Sequence, residues 1–244
     1  MNAPTQTSRP GFSLIETVIA IGVLAVLLTG FMIVFAPAAA SIRKVLNSQD
    51  AARLVATLEE ELVTLRGSAE VAAYPTGFDK AFKFIPESSG ASANGALMIY
   101  KYRASLTKQR TSDGTPEPVA VVGSQIPGVD YVVQNMMRRK DDAKFLEDLP
   151  AIEGQVYMVR CTQLIMDTTS NQLALGTKGQ IANADAPKTA VATVAAYKHA
   201  VITFVADFYP CPSKAVNYFN GAEFAKLFAT TSKPTFSRNL AVRR

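Results

Sequence analysis

Between Glu16 and Arg43 the sequence carries no charged residue. At about 1.5 Å of rise per residue, about 20 residues cross a hydrocarbon core, so this run spans a bilayer with length to spare. It is rich in Val, Ile, Leu and Ala. Gly22 and Gly30 are small steps where a second helix could pack closely, and Pro37 could kink the far end. The run is too long for a soluble core helix and reads as a membrane segment. An ordinary secretory signal would explain Arg9 and the small residues Ala36, Ala38 and Ala40 as a cleavage site, but its apolar region normally extends only about 7–15 residues. A plain signal anchor is the other simple reading. Neither accounts for the residues on the far side of the run.

Beyond Ile42 the apolar positions Val45, Leu46, Ala51, Leu54, Val55, Leu58, Leu62 and Leu65 recur at spacings dominated by three and four. Arg43, Lys44, Asp50, Arg53 and the Glu59-Glu60-Glu61 run fill much of the other face. This is an amphipathic helix by its period, with Gly67 in the position of a C-terminal cap. The two stretches therefore predict one helix over residues 13–66, on the order of 80 Å long at 1.5 Å per residue. A cleaved secretory signal has no need of that continuity.

The opening residues Gly11-Phe12-Ser13-Leu14-Ile15-Glu16 add a glutamate at the lip of the apolar run, where a charge is costly. A short polar leader ending in Gly11, an aromatic at Phe12, a glutamate four residues later and a long apolar helix resemble the prepilin signature of type IV pilins and type II secretion pseudopilins. The resemblance covers about the first sixty residues. The leader departs from it in having a single basic residue, and no proline stands near Ile33, where many major pilins break the helix.

The resemblance implies that a prepilin peptidase cuts between Gly11 and Phe12 on the cytoplasmic face of the inner membrane and methylates the new amine. It further implies that Phe12 and Glu16 serve subunit assembly, the carboxylate pairing with a neighbour's freed amine. The head would then lie in the periplasm and, after assembly, in a filament with other pilin or pseudopilin subunits. The implied division is a leader (1–11), a membrane and filament-core helix (12–42), its amphipathic continuation (43–67) and a β-rich head (68–244).

In the head, residues 96–104, 119–122, 129–136, 155–166 and 200–208 read as strands, rich in Val, Ile, Tyr and Phe and separated by loops at 88–95, 111–118 and 181–187. Residues 78–84 form a short helix or strand. The expected class is α+β, with the long helix packed through Leu54, Leu58, Leu62 and Leu65 on an antiparallel sheet, in a pilin-like arrangement. With 48% hydrophobic residues, the chain can build a core besides its membrane segment.

The net charge of +5 is scattered. Its densest knot, Arg138-Arg139-Lys140, reads as solvated surface rather than a nucleic-acid face, which needs a basic stripe interleaved with aromatics. Enzymatic signatures are weak. His199 is the only histidine and lies in a β-rich run; Ser41-Ile42-Arg43-Lys44 and Ser112-Asp113-Gly114 echo acyl-enzyme motifs without the third element. Gly176-Thr177-Lys178-Gly179 lacks phosphate-loop spacing. No catalytic site, metal or cofactor is expected. The only cysteines, Cys161 and Cys211, either close a disulfide in an oxidising compartment, worth about 4 kcal/mol for a loop of about 50 residues, or stay as buried thiols. The function expected is that of a non-enzymatic filament subunit, with a monomeric, membrane-anchored periplasmic binding module as the alternative.

Overall fold

The structure is a computed structural model that describes residues 13–167, 170–229 and 233–244. It divides into two compact units, residues 1–46 and 47–244. The first helix, α1 (Leu14–Val63), supplies residues to both, and it stays helical through Pro37.

The described part of the first unit, from residue 13, is Ser13 followed by the first part of α1. The segment Leu14–Ile33 has a mean hydropathy of 2.3 and buries none of its length. It is long and apolar enough to cross a membrane.

The second unit is a mixed helix and antiparallel-sheet fold, as the apolar patterning predicts. Its long strands are β1 (Leu97–Gln109), β3 (Val132–Arg139), β4 (Ile152–Asp167), β6 (Val201–Pro210) and β7 (Phe236–Arg243), with short pieces β2 (Pro116–Pro118) and β5 (Gln172–Leu175). The order β3-β1-β4-β6-β7 is antiparallel throughout, β2 extends along β1, and β5 pairs with β4. Alternation then sorts side chains onto two faces.

One face carries Leu97 and Ile99 of β1, Tyr157 and Val159 of β4, and Phe204, Ala206 and Phe208 of β6. The end of α1 packs here. Ala51, Leu54, Leu58 and Leu62 follow spacings of three and four and are fully buried; each leucine contributes about 1.5–3 kcal/mol of burial. Beside α1 lies α3 (Gly77–Glu87), whose Phe78, Ala81, Phe82 and Ile85 point into the same core. The helix-or-strand ambiguity here is resolved by a capping box. The Thr76 hydroxyl accepts from the Asp79 N–H at 3.3 Å, and the Asp79 carboxylate accepts from the Thr76 N–H at 3.1 Å, satisfying two otherwise orphaned donors.

The other face holds Met98, Tyr100 and Tyr102 of β1 with Val156 and Met158 of β4. Three short helices, α4 (Ala143–Asp148), α5 (Val216–Asn220) and α6 (Ala222–Ala229), cover it with Phe145, Phe219, Phe224 and Phe228. No periodicity in the sequence predicts this second helical layer.

Three local expectations are corrected. α1 ends at Val63, and Gly67 opens a further helix, α2 (Gly67–Ala73), instead of closing α1. Gly67 has φ +70°, and a Cβ there would lie 2.1 Å from the Ser112 carbonyl oxygen, so both its conformation and its neighbour require glycine. Leu65, beyond the helix end, is only partly buried. Residues 119–122 form no strand; Val121 and Val122 are exposed.

Polar side chains finish β4 between the segments paired with β1 and with β5. The Ser88 hydroxyl accepts from the Cys161 N–H at 2.8 Å, and the Ser89 hydroxyl donates to the Cys161 carbonyl at 2.6 Å. Gln163 likewise clasps the backbone of Ala182, donating to its carbonyl at 2.9 Å and accepting from its N–H at 2.7 Å. Each imitates a missing strand and leaves the buried backbone satisfied.

Candidate functional site

Of the residues singled out at the N-terminus, Gly11 and Phe12 lie outside the described residues. Glu16 is described. Ser13 caps α1, its hydroxyl accepting from the Glu16 N–H at 3.2 Å, so Glu16 occupies the third helical position. A carboxylate in the first turn is favoured by the helix dipole. Ser13-Leu14-Ile15-Glu16 thus has the spacing of a capping box, which supplies a local reason for this glutamate beside any intermolecular one. The side chains around it, Leu14, Ile15, Val18 and Ile19, are exposed on all sides.

The second feature is a buried ion cluster that sequence reasoning missed. It gathers Arg110 from the end of β1, Asp113 and Thr115 from the following turn, Arg138 from the end of β3, and Asp142 and Asp148 from the two ends of α4. Asp148 is wholly buried and takes three donors: the Tyr100 hydroxyl at 2.5 Å, Arg110 Nη2 at 2.7 Å and Arg138 Nε at 3.2 Å. Arg138 also donates to Asp113 at 3.0 Å, Asp142 at 3.1 Å and the Thr115 hydroxyl at 3.0 Å.

The basic knot at Arg138 is therefore not solvated surface. Arg138 is buried, and Arg139 pairs with Glu87 and Asp141. Two neighbouring residues of one strand point to opposite faces, so the run splits between an interior and a partly exposed setting.

The electrostatics follow from the contacts. Burial alone would raise the Asp113 carboxyl, but hydrogen bonds from the Thr115 hydroxyl and N–H, with the Arg138 guanidinium, hold its pKa down at about 2. Burial opposes the charge on Arg138, and the surrounding Tyr100 and carboxylates more than compensate, raising its pKa. Burial likewise pushes the Tyr100 hydroxyl well above its ordinary value, with Asp148 adding to it. The oxygens of Asp113, Asp142 and Asp148 are all engaged. A saturated cluster of this kind holds segments together.

The cysteines are not joined. Both are free and buried. Cys161 sits in the core under α1 and α3, and Cys211 in the core under α4–α6. Cys161 pairs across the sheet with Ala206, five residues before Cys211. Five residues of strand are about 16 Å, whereas a disulfide needs Cα atoms within about 7 Å. Burial pushes both thiols up to about 12, so neither is a reactive thiolate. β7 is held instead by its ladder with β6, from Val201↔Arg243 to Phe208↔Phe236.

His199 lies in an exposed loop before β6, with its Nε2 accepting from the Ala184 N–H at 3.4 Å. A groove of about 750 Å³ runs between α3 and the segment around residues 179–192, lined by Phe82, Pro86, Asn94, Arg139, Gln180 and Val191 among others. Among the described residues no group of three or more His, Cys, Asp or Glu side chains is placed to hold a metal ion.

No protein-family model, curated protein or solved structure matches this chain. Its functional reading therefore rests on its own residues and on the resemblance of the N-terminal motif.

Proposed function

We propose that this chain is a pilin-like structural subunit, a minor pilin or pseudopilin of a type IV pilus or type II secretion-like filament, and not an enzyme. A prepilin peptidase cuts after Gly11 and methylates Phe12. The processed chain waits in the inner membrane with its head in the periplasm, then enters a filament through α1. The observation that carries this reading is the pairing of the Gly11-Phe12 motif with Leu14–Ile33, an apolar span that is buried against nothing among the described residues. A helix exposed on every side needs lipid before assembly and other helices after it. Glu16 is the one acidic residue in that helix until Asp50, and a neighbour's freed amine gives it a partner of opposite charge.

The experiment is Glu16→Leu in cells that assemble the filament. Removing the charge lowers the cost of insertion, so membrane insertion and cleavage should persist while incorporation into filaments falls. Incorporation equal to wild type would contradict the assembly role. The groove beside α3 favours a second reading, a membrane-anchored module that binds a partner in the periplasm without polymerising. That reading requires no cut at Gly11.

A further inference from the structure

β7 is an open edge of the sheet. It pairs with β6 on one side, and among the described residues no strand lies on the other. The Arg244 N–H donates to the Ala200 carbonyl at 2.8 Å, in register with the ladder. Residues of an antiparallel strand turn alternately toward the partner and away from it. Arg238, Leu240 and Val242 therefore direct their backbone groups to β6, and Ser237, Asn239, Ala241 and Arg243 direct theirs outward. Those outward groups form a ready template for one more strand.

The charges carried by this edge strand are basic, while the Asp207 carboxylate of neighbouring β6 accepts from the Ser237 hydroxyl at 2.6 Å. After Glu223 the sequence has five Lys or Arg and no Asp or Glu. Arg238 and Arg243 on the strand itself are exposed and, among the described residues, are ion-paired with no carboxylate. A second copy of β7 added antiparallel about Leu240 would oppose Arg238 to Val242 and Arg243 to Ser237, giving neither arginine an opposite charge. An acidic chain would meet the opposite situation.

We propose that β7 takes an extended, acidic segment of a partner protein as an added strand. Main-chain hydrogen bonds to Ser237, Asn239, Ala241 and Arg243 supply the affinity. Carboxylates reaching Arg238 and Arg243 select the partner and speed its encounter. This does not depend on the filament reading, because it concerns only the second unit.

The test uses the full chain in detergent micelles with two synthetic probes, a Glu–Val peptide that repeats Glu-Glu-Val-Val, so that carboxylates lie on both faces of the added strand, and its Lys–Val counterpart. The Glu–Val peptide should bind, by fluorescence anisotropy, and should slow hydrogen exchange in β7. The Lys–Val peptide should not bind. Ala241→Pro removes an outward N–H and no ladder bond to β6; it should weaken Glu–Val binding by about tenfold or more, the loss expected when strand pairing supplies the affinity. Should Ala241→Pro fail to fold, Arg238→Glu/Arg243→Glu decides, and it should reverse the preference to Lys–Val. Failure of the Glu–Val peptide to bind, undiminished binding by folded Ala241→Pro, unslowed exchange in β7, or an unchanged preference after charge reversal would each overturn the proposal.

Discussion

Replacing Asp148 by alanine tests the buried cluster at its centre. The substitution removes the acceptor of three hydrogen bonds, from Tyr100, Arg110 and Arg138. Breaking a buried ion pair from one side costs about 3–5 kcal/mol, because the remaining charge stays buried without its partner. Here both cations keep something. Arg138 retains Asp113 and Asp142, and Arg110 retains Glu147 at 3.3 Å, a carboxylate with 58% of its side chain exposed. The loss should therefore fall near the lower end, about 3 kcal/mol.

For a domain of about 200 residues, that is a drop in Tm of about 6–12 °C. Near-UV circular dichroism is a suitable probe, since the chain has no tryptophan and its signal comes largely from tyrosines, of which Tyr100 and Tyr102 lie beside the cluster. Asp148→Asn keeps the shape and one acceptor, so it should lose less. A loss below about 1 kcal/mol for Asp148→Ala, the range of an exposed ion pair, would refute the claim that this cluster is a buried clamp.

Acid should weaken the same cluster. The folded pKa of Asp113, about 2, lies below its ordinary value of 3.8, so its contribution is full above about pH 4 and is lost as pH falls through about 2. Its share is on the order of 1–2 kcal/mol, and Asp113→Asn should flatten that part of the stability–pH profile measured by urea unfolding. Both cysteines should resist alkylation in folded protein and react fully in denaturant, with no bridged peptide in a non-reducing map; a Cys161–Cys211 peptide would contradict the placement of the two thiols on opposite faces.

What the sequence revealed tracks what is local. The stripe Leu54, Leu58, Leu62 identifies its helix because the 3.6-residue period is written in consecutive turns. β1, β4 and β6 are legible because they are central strands with apolar residues on both faces. β7 is not, because an edge strand carrying Arg238 and Asn239 lacks that apolar signal. The short helices α4, α5 and α6 are too brief to show a period, and their phenylalanines matter only through the sheet beneath them.

The ion cluster was illegible for a different reason. Arg110, Asp113, Arg138 and Asp148 come from separate elements, and charge in a sequence does not say which residue will find a partner. The Arg138-Arg139-Lys140 run shows the error directly, since strand alternation buries the first residue and leaves the second partly exposed. For the cysteines the sequence left two alternatives open, a disulfide or buried thiols, and the structure has the second. A count of two suggests a pair, but the face of each depends on register, and a shift of one residue along a strand reverses it.

The most direct measurement is the intact mass and N-terminal fragment spectrum of the mature protein from membranes. Processing as a prepilin gives a chain that begins at Phe12 and carries a methyl group on its amine. A chain beginning at Met1, or one cut after Ala40, would contradict it.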